Sequence, residues 1–259
     1  NQYTVEQLLT ALLVGNSSTA ALALAEKVGG SEKSFVEKMK QKLSEWGIQS
    51  PHLINATGLN TQTISGDPDG KGDENQLSAY DIAVIAKHLL QDFPEVTKYT
   101  SKPTALFSNT QIENPNLMLE GMPNYRSGVD GLRVSNSTKG GITFAASTTQ
   151  NGIHMITVVL GVEAVDGDPY ARFVATSSLM NYVVRTFVSS IVVKEGDPYG
   201  KSKASVMDGK SETVLAVAKK DFYIVEKQGS QTEPKVQFKS TQESFRAPVK
   251  SGTNLGKLH

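Results

Sequence analysis

The chain has 259 residues, of which 38% are hydrophobic and 20% charged, a composition that suits one or two globular domains and excludes a disordered tail or a coiled coil. Twenty-six Lys and Arg balance 26 Asp and Glu, so no cationic excess is available to displace counterions from a nucleic-acid backbone. Cysteine is absent, which removes disulfides, thiolate nucleophiles and Cys-based metal sites, and the longest apolar stretches fall far short of the ~20 residues a membrane helix needs.

No secretory signal opens the chain, and its first residue is Asn1, so a mature or trimmed piece is expected. Thr4-x-x-Gln7 is a capping box, and Leu8, Leu9, Leu12 and Leu13 follow at helical spacing. The cluster Gly15-Asn16-Ser17-Ser18-Thr19 interrupts that stripe. A second apolar helix is predicted over 20–28 and stopped by Gly29-Gly30. A third, amphipathic, is predicted over 31–46 with Phe35, Met39 and Leu43 on one face.

Residues 50–76 read as loop, rich in Asn, Thr, Gly and Asp. Ser78-x-x-Asp81 opens a further helix through 91, ended by Pro94. From about residue 128 the period changes to two. Strands are predicted over 128–136, 142–149 and 153–162, with Asn151-Gly152 as a hairpin turn. Pro169 sits in the first turn of a long helix over 170–187. Beyond 189 only short β-rich runs occur, over 191–193, 213–218, 222–226 and 235–238, and the last residues, 257–259, break off as if in mid-strand. The expected division is 1–188 and 189–259, the first part α+β and the second a small all-β domain.

Three places could carry chemistry. Residues 15–19 set hydroxyls and an amide between two apolar helices, at the rim of a cleft or simply as the cap of the second helix. The strand bearing Arg133, Ser135, Asn136, Ser137 and Lys139 could hold a carboxylate through charge-assisted hydrogen bonds, or be a solvated strand and turn. The run Asp67-Pro-Asp69-Gly-Lys71-Gly-Asp73-Glu74 has the look of a calcium loop, but Lys71 stands at position five and Ser78 at position twelve. The four His show no ligand spacing, no zinc-binding pair occurs, and no phosphate loop or dinucleotide fingerprint is present. No metal or cofactor is expected.

Several stretches in order resemble one family, the low-molecular-mass penicillin-binding proteins that act as serine D-alanyl-D-alanine carboxypeptidases, of the streptococcal type. They are Tyr3-Thr-Val-Glu-Gln-Leu-Leu through Glu26, Asn55-Ala-Thr-Gly-Leu-Asn60, Leu77-Ser-Ala-Tyr-Asp-Ile-Ala83, Met118-Leu-Glu-Gly-Met-Pro123, Gly128-Val-Asp-Gly-Leu132 and Asp168-Pro-Tyr-Ala-Arg-Phe173. The resemblance implies a penicillin-binding, serine β-lactamase-like transpeptidase domain, an antiparallel sheet with helices and its N-terminal part missing. It also implies a small all-β C-terminal domain, itself shortened.

It further implies a Ser-x-x-Lys nucleophile and base, a Ser-x-Asn motif and a Lys-Thr-Gly strand that together remove terminal D-Ala through an acyl-enzyme. Ser-x-x-Lys would lie upstream of Asn1. The second motif falls on Asn16-Ser17-Ser18, with Asn16 and Ser18 at its outer positions. The third falls on Arg133-Val134-Ser135, followed by Asn136. Arg133 keeps a charge without a compact ammonium, Val134 lacks a hydroxyl, and Ser135 adds a side chain where Gly admits close approach.

The expected protein is therefore a carboxypeptidase-family member of peptidoglycan maturation that does not turn over. The alternative is a non-catalytic cell-surface binding or adhesion module on the same scaffold. Implied partners are a peptidoglycan stem peptide or a β-lactam, or a surface protein. Nucleic acid is not among them, and a membrane enters only through a C-terminal anchor beyond these residues. The implied location is extracytoplasmic, at the cell surface.

Overall fold

The structure, a computed structural model, describes residues 2–66, 72–137, 139–164, 167–200, 202–230 and 235–259. It divides into two compact units, residues 1–150 with 154–182 and residues 151–153 with 183–259.

The first unit opens with three helices, α1 (Val5–Leu13), α2 (Ser18–Gly29) and α3 (Glu32–Glu45). The Thr4 hydroxyl accepts from the Gln7 amide at 3.1 Å, and the Gln7 side chain accepts from the Thr4 amide at 2.8 Å, so the capping box forms. Ser17 caps α2 by accepting from the Ala20 amide at 3.2 Å, and Gly30 ends it with φ 75°, a conformation glycine adopts without strain. Val36 and Leu43 of α3 pack with Ile48 and Leu53 into one core cluster.

A short helix, α4 (Thr61–Ser65), lies inside the segment expected to be loop. Asn60 caps it, accepting from the Gln62 amide at 2.9 Å, and a five-residue helix leaves too few turns for a periodic signal. Helix α5 (Ala79–Asp92) starts at the expected Ser78–Asp81 box. Its Ala86 and Leu90 form a second cluster with Val96 and Leu132. After the short helix α6 (Thr97–Thr100) comes a hairpin absent from the sequence reading, β1 (Thr104–Phe107) with β2 (Thr110–Glu113). Its turn residues Ser108 and Asn109 have φ 47° and 67°, so both occupy left-handed positions with no glycine to announce the turn.

The sheet of this unit runs β3 (Val129–Ser137), β4 (Gly141–Gln150) and β5 (Ile153–Val162) in that order, antiparallel between β3 and β4 and with β3 at one edge. Val134 faces Phe144 across the ladder, Arg133 faces Ala145 and Ser135 faces Thr143. Helix α7 (Ala171–Thr186) buries Phe173 and Met180, and the Phe173 ring meets Phe144 edge-on at 5.5 Å.

The second unit holds short strands only. β6 (Phe187–Val193) follows α7 without a break and pairs with β9 (Phe222–Lys227). β7 (Lys203–Met207) lies between β8 (Thr213–Leu215) and β11 (Phe245–Arg246). β10 (Phe238–Ser240) pairs with β12 (Gly256–Leu258), so the ordered strand begins where the expected run over 235–238 ends. β7 and β11 were not read from the sequence, whereas β12 lies where the last residues were expected to be in mid-strand. The α+β class and the β-rich C-terminal part agree with the sequence reading.

Candidate functional site

The 15–19 cluster and the Arg133–Asn136 segment meet at the outer edge of β3. The turn between α1 and α2 places Asn16 at φ 57°, a left-handed conformation that Asn tolerates better than most residues. From there its amide Nδ2 donates to the Val134 carbonyl at 3.4 Å, a long bond directed at the strand edge that faces away from β4. The Asn16 Oδ1 atom is buried with no partner. Ser18 opens α2 and is half-buried, one residue beyond the cap.

Arg133 reaches from β3 to the end of α1. Its Nη1 donates to the Leu12 carbonyl at 2.9 Å, in the last turn of α1, a helix with no basic residue of its own there. A cation at that position offsets the partial negative charge of the helix end. Burial pushes the guanidinium below its ordinary pKa. Val134 is buried and contributes an apolar side chain without a hydroxyl.

The outer end of β3 is held by two buried charges. Arg172 of α7 is 7% exposed and Glu74 is 4% exposed. Arg172 Nη1 donates to the carbonyls of Ser135 at 2.9 Å and Thr143 at 3.0 Å, and its Nη2 donates to Asn136 Oδ1. Desolvation alone lowers its pKa, and no carboxylate lies within ion-pair distance of it among the described residues. Glu74 Oε2 accepts from the Ser137 hydroxyl and, at 3.3 Å, from the Lys139 amide, while Oε1 accepts from Asn60 Nδ2 at 2.9 Å. The hydroxyl of Thr143 adds a bond to the Ser135 carbonyl at 3.1 Å.

Asp73, next to Glu74, bonds His52 Nε2 at 2.8 Å and lies 3.7 Å from Lys139 Nζ. The His52 bond, followed by the Glu74 amide, holds its carboxyl below the ordinary value. Of the calcium-like run, 67–71 lie outside the described residues, as does Thr138. The described acids of that run, Asp73 and Glu74, face protein donors.

The structure thus brings Asn16, Arg133, Val134, Ser135 and Asn136 together, with Ser18 at the start of the adjoining helix. Sequence reasoning named Glu74 only as the end of the calcium-like run and Arg172 only within a family stretch, and placed neither at the end of β3. Arg172 had a signal, being one of only two charged residues in α7, the other being Arg185 in its last turn. Glu74 had none, since an acid in a polar loop gives no hint of burial.

Chemically, this is an edge several of whose polar groups are bonded from within. The side chains of Arg133, Asn136 and Ser137 and the carbonyls of Val134 and Ser135 all have protein partners.

Comparison with known proteins agrees with this frame. Residues 1–164 match the D-alanyl-D-alanine carboxypeptidase family, and residues 187–259 match the C-terminal domain of penicillin-binding protein 5. The chain belongs to the D-alanyl-D-alanine carboxypeptidase family of low-molecular-mass penicillin-binding proteins. It is similar to a peptidoglycan synthesis regulatory factor (PBP3) from Streptococcus pneumoniae, at 46% identity and TM-score 0.86, covering 98% of this chain and 70% of that one. Among curated proteins it is 28% identical to D-alanyl-D-alanine carboxypeptidase DacA of Haemophilus influenzae, over 99% of this chain and 61% of that protein. It is 26% identical to DacF of Bacillus subtilis, over 99% of this chain and 62% of that protein. The chain therefore spans about three-fifths of the length of these curated relatives.

Proposed function

We infer that this chain is a carboxypeptidase-family protein of peptidoglycan maturation, located outside the cytoplasm, whose second and third motifs do not support acyl transfer. The parent chemistry is serine attack on the terminal D-Ala carbonyl, with the second motif relaying protons and the third fixing the terminal carboxylate. Asn16 and Ser18 occupy the second motif and Arg133, Val134, Ser135 and Asn136 the third. They lie across a domain spanning 1–188, followed by a β-rich domain over 189–259.

The observation that carries the reading is the Arg133–Leu12 bond at 2.9 Å. The bond commits one Nη1–H of the guanidinium to the end of α1 and so fixes the direction of the side chain, and Val134 offers no hydroxyl beside it. Asn16 adds to this by taking up the Val134 carbonyl, an acceptor on the edge where an extended peptide would pair. A ligand at this strand edge would be a stem peptide or a β-lactam, the latter supported by the ampicillin-bound form of penicillin-binding protein D2 from Listeria monocytogenes, 25% identical at TM-score 0.58.

Incubating the full encoded protein with a fluorescent penicillin tests the reading. No band should survive denaturing electrophoresis above a heat-killed control. A covalent band would overturn it. The second reading, a non-catalytic surface binding module, draws on the intact frame around the altered positions. Retention on purified peptidoglycan no better than that of an unrelated globular protein would remove it.

A further inference from the structure

The balanced net charge hides an uneven distribution. Residues 1–186 carry 14 Lys and Arg against 18 Asp and Glu, whereas residues 187–259 carry 12 against 8. Much of the excess lies in the last stretch, where Lys235, Lys239, Arg246, Lys250 and Lys257 face only Glu243 as an acid.

The β10–β12 ladder organises part of this charge. Lys239 stands directly opposite Lys257, and Gln237 and His259 extend the pairing by exchanging two backbone hydrogen bonds of 3.0 Å each. Side-chain alternation leaves Gln237, Lys239 and Lys257 exposed while Phe238 and Leu258 turn inward, half-buried. Lys235 is exposed just before this ladder.

Like charges directly opposed on one face of a sheet repel, and among the described residues no carboxylate lies in ion-pair range of either lysine. Among the described residues, the one cation of 187–259 with a carboxylate in ion-pair range is Arg246, 3.1 Å from Asp208. A cationic face without a counter-charge favours an anionic ligand by releasing that repulsion. The face also lacks an apolar anchor, since the last large exposed hydrophobic residue along the chain is Val225. A surface made to enter a bilayer would carry such groups beside its lysines. A soluble polyanion needs only the charge.

We propose that the exposed face of the β10–β12 ladder docks a polyanion, a soluble chain of closely spaced phosphate groups, through Lys239 and Lys257. The assignment is independent of the β3 edge and of any acyl transfer there.

The test is binding of long-chain inorganic polyphosphate to the full protein at about 0.15 M salt, compared with Lys239→Glu/Lys257→Glu and with the control Lys194→Glu/Lys203→Glu. The control pair is also exposed and changes net charge equally. The ladder variant should lose about tenfold in affinity or more and the control less than about threefold, because close phosphate contacts outweigh bulk charge. Both variants should keep the parent melting temperature, the altered side chains being exposed.

Equal losses in the two variants would mean that net charge alone attracts the polymer, overturning the proposal. So would failure of the parent protein to bind polyphosphate. Tighter binding to anionic phospholipid vesicles than to polyphosphate, lost in the same ladder variant, would reassign the face to a membrane.

Discussion

Strand β3 and the β10–β12 ladder both carry cations at the place where a strand could meet a ligand, and they treat them oppositely. In β3, Arg133 is half-buried and bonded to a helix carbonyl, and the residues after it are fixed by Arg172 and Glu74. On the β10–β12 face, Lys239 and Lys257 are exposed, opposed to each other and without a carboxylate partner among the described residues. The difference shows that ancestry does not decide which charge remains available. Arg133 has become part of the frame, while the charge of Lys239 and Lys257 stays on the surface of a short two-stranded ladder.

The contrast can be broken most forcefully at Glu74. Replacing it by Ala leaves Asn60 Nδ2, the Ser137 hydroxyl and the Lys139 amide without their acceptor inside the protein. A loss of about 3 kcal/mol is expected, the scale for removing one member of a buried charged network. Chemical denaturation reads it directly. A change below about 0.5 kcal/mol, the range of ordinary surface substitutions, would show that the end of β3 is not held as described.

Arg133→Met should cost less, about 1 kcal/mol, by deleting one charge-assisted bond and one favourable helix-end charge while keeping the apolar stem. An unchanged unfolding midpoint would return Arg133 to the status of an uncommitted ligand group and remove the contrast with Lys239.

The smallest effect belongs to Asp73. Its carboxyl is held below the ordinary value, so its folded-state contribution is full above the unfolded pKa and fades as pH falls through the lower folded one. Asp73→Asn should therefore flatten the acid side of the stability curve below about pH 4, the ordinary carboxylate range, with little change at neutral pH. A variant whose acid limb overlays that of the parent would show that the His52–Asp73 bond carries no linkage.

Legibility followed the range of the interaction. Thr4, Ser17 and Ser78 were readable because a cap is settled within four residues, and β4 and β5 because alternation around Asn151-Gly152 marks a hairpin locally. The family frame was readable for a related reason, since its stretches recur in order along the chain. The β1–β2 hairpin escaped because Ser108-Asn109 is an uncommon turn pair, and α4 because it is too short to have a period. At the site, the chain placed Asn16, Ser18 and Arg133 through Asn136 in one constellation but did not reveal what they touch.

Composition, periodicity and the order of the family stretches were enough to establish an α+β first part and a β-rich second part. Those properties are written in neighbouring residues. Whether Arg133 faces solvent or the Leu12 carbonyl, 121 positions away, and whether Glu74 is solvated or clasped by Ser137, 63 positions on, depends on how distant segments desolvate one another. Only tertiary packing decided that, because the hydrogen bonds a buried charge needs are supplied by residues that no local pattern connects to it.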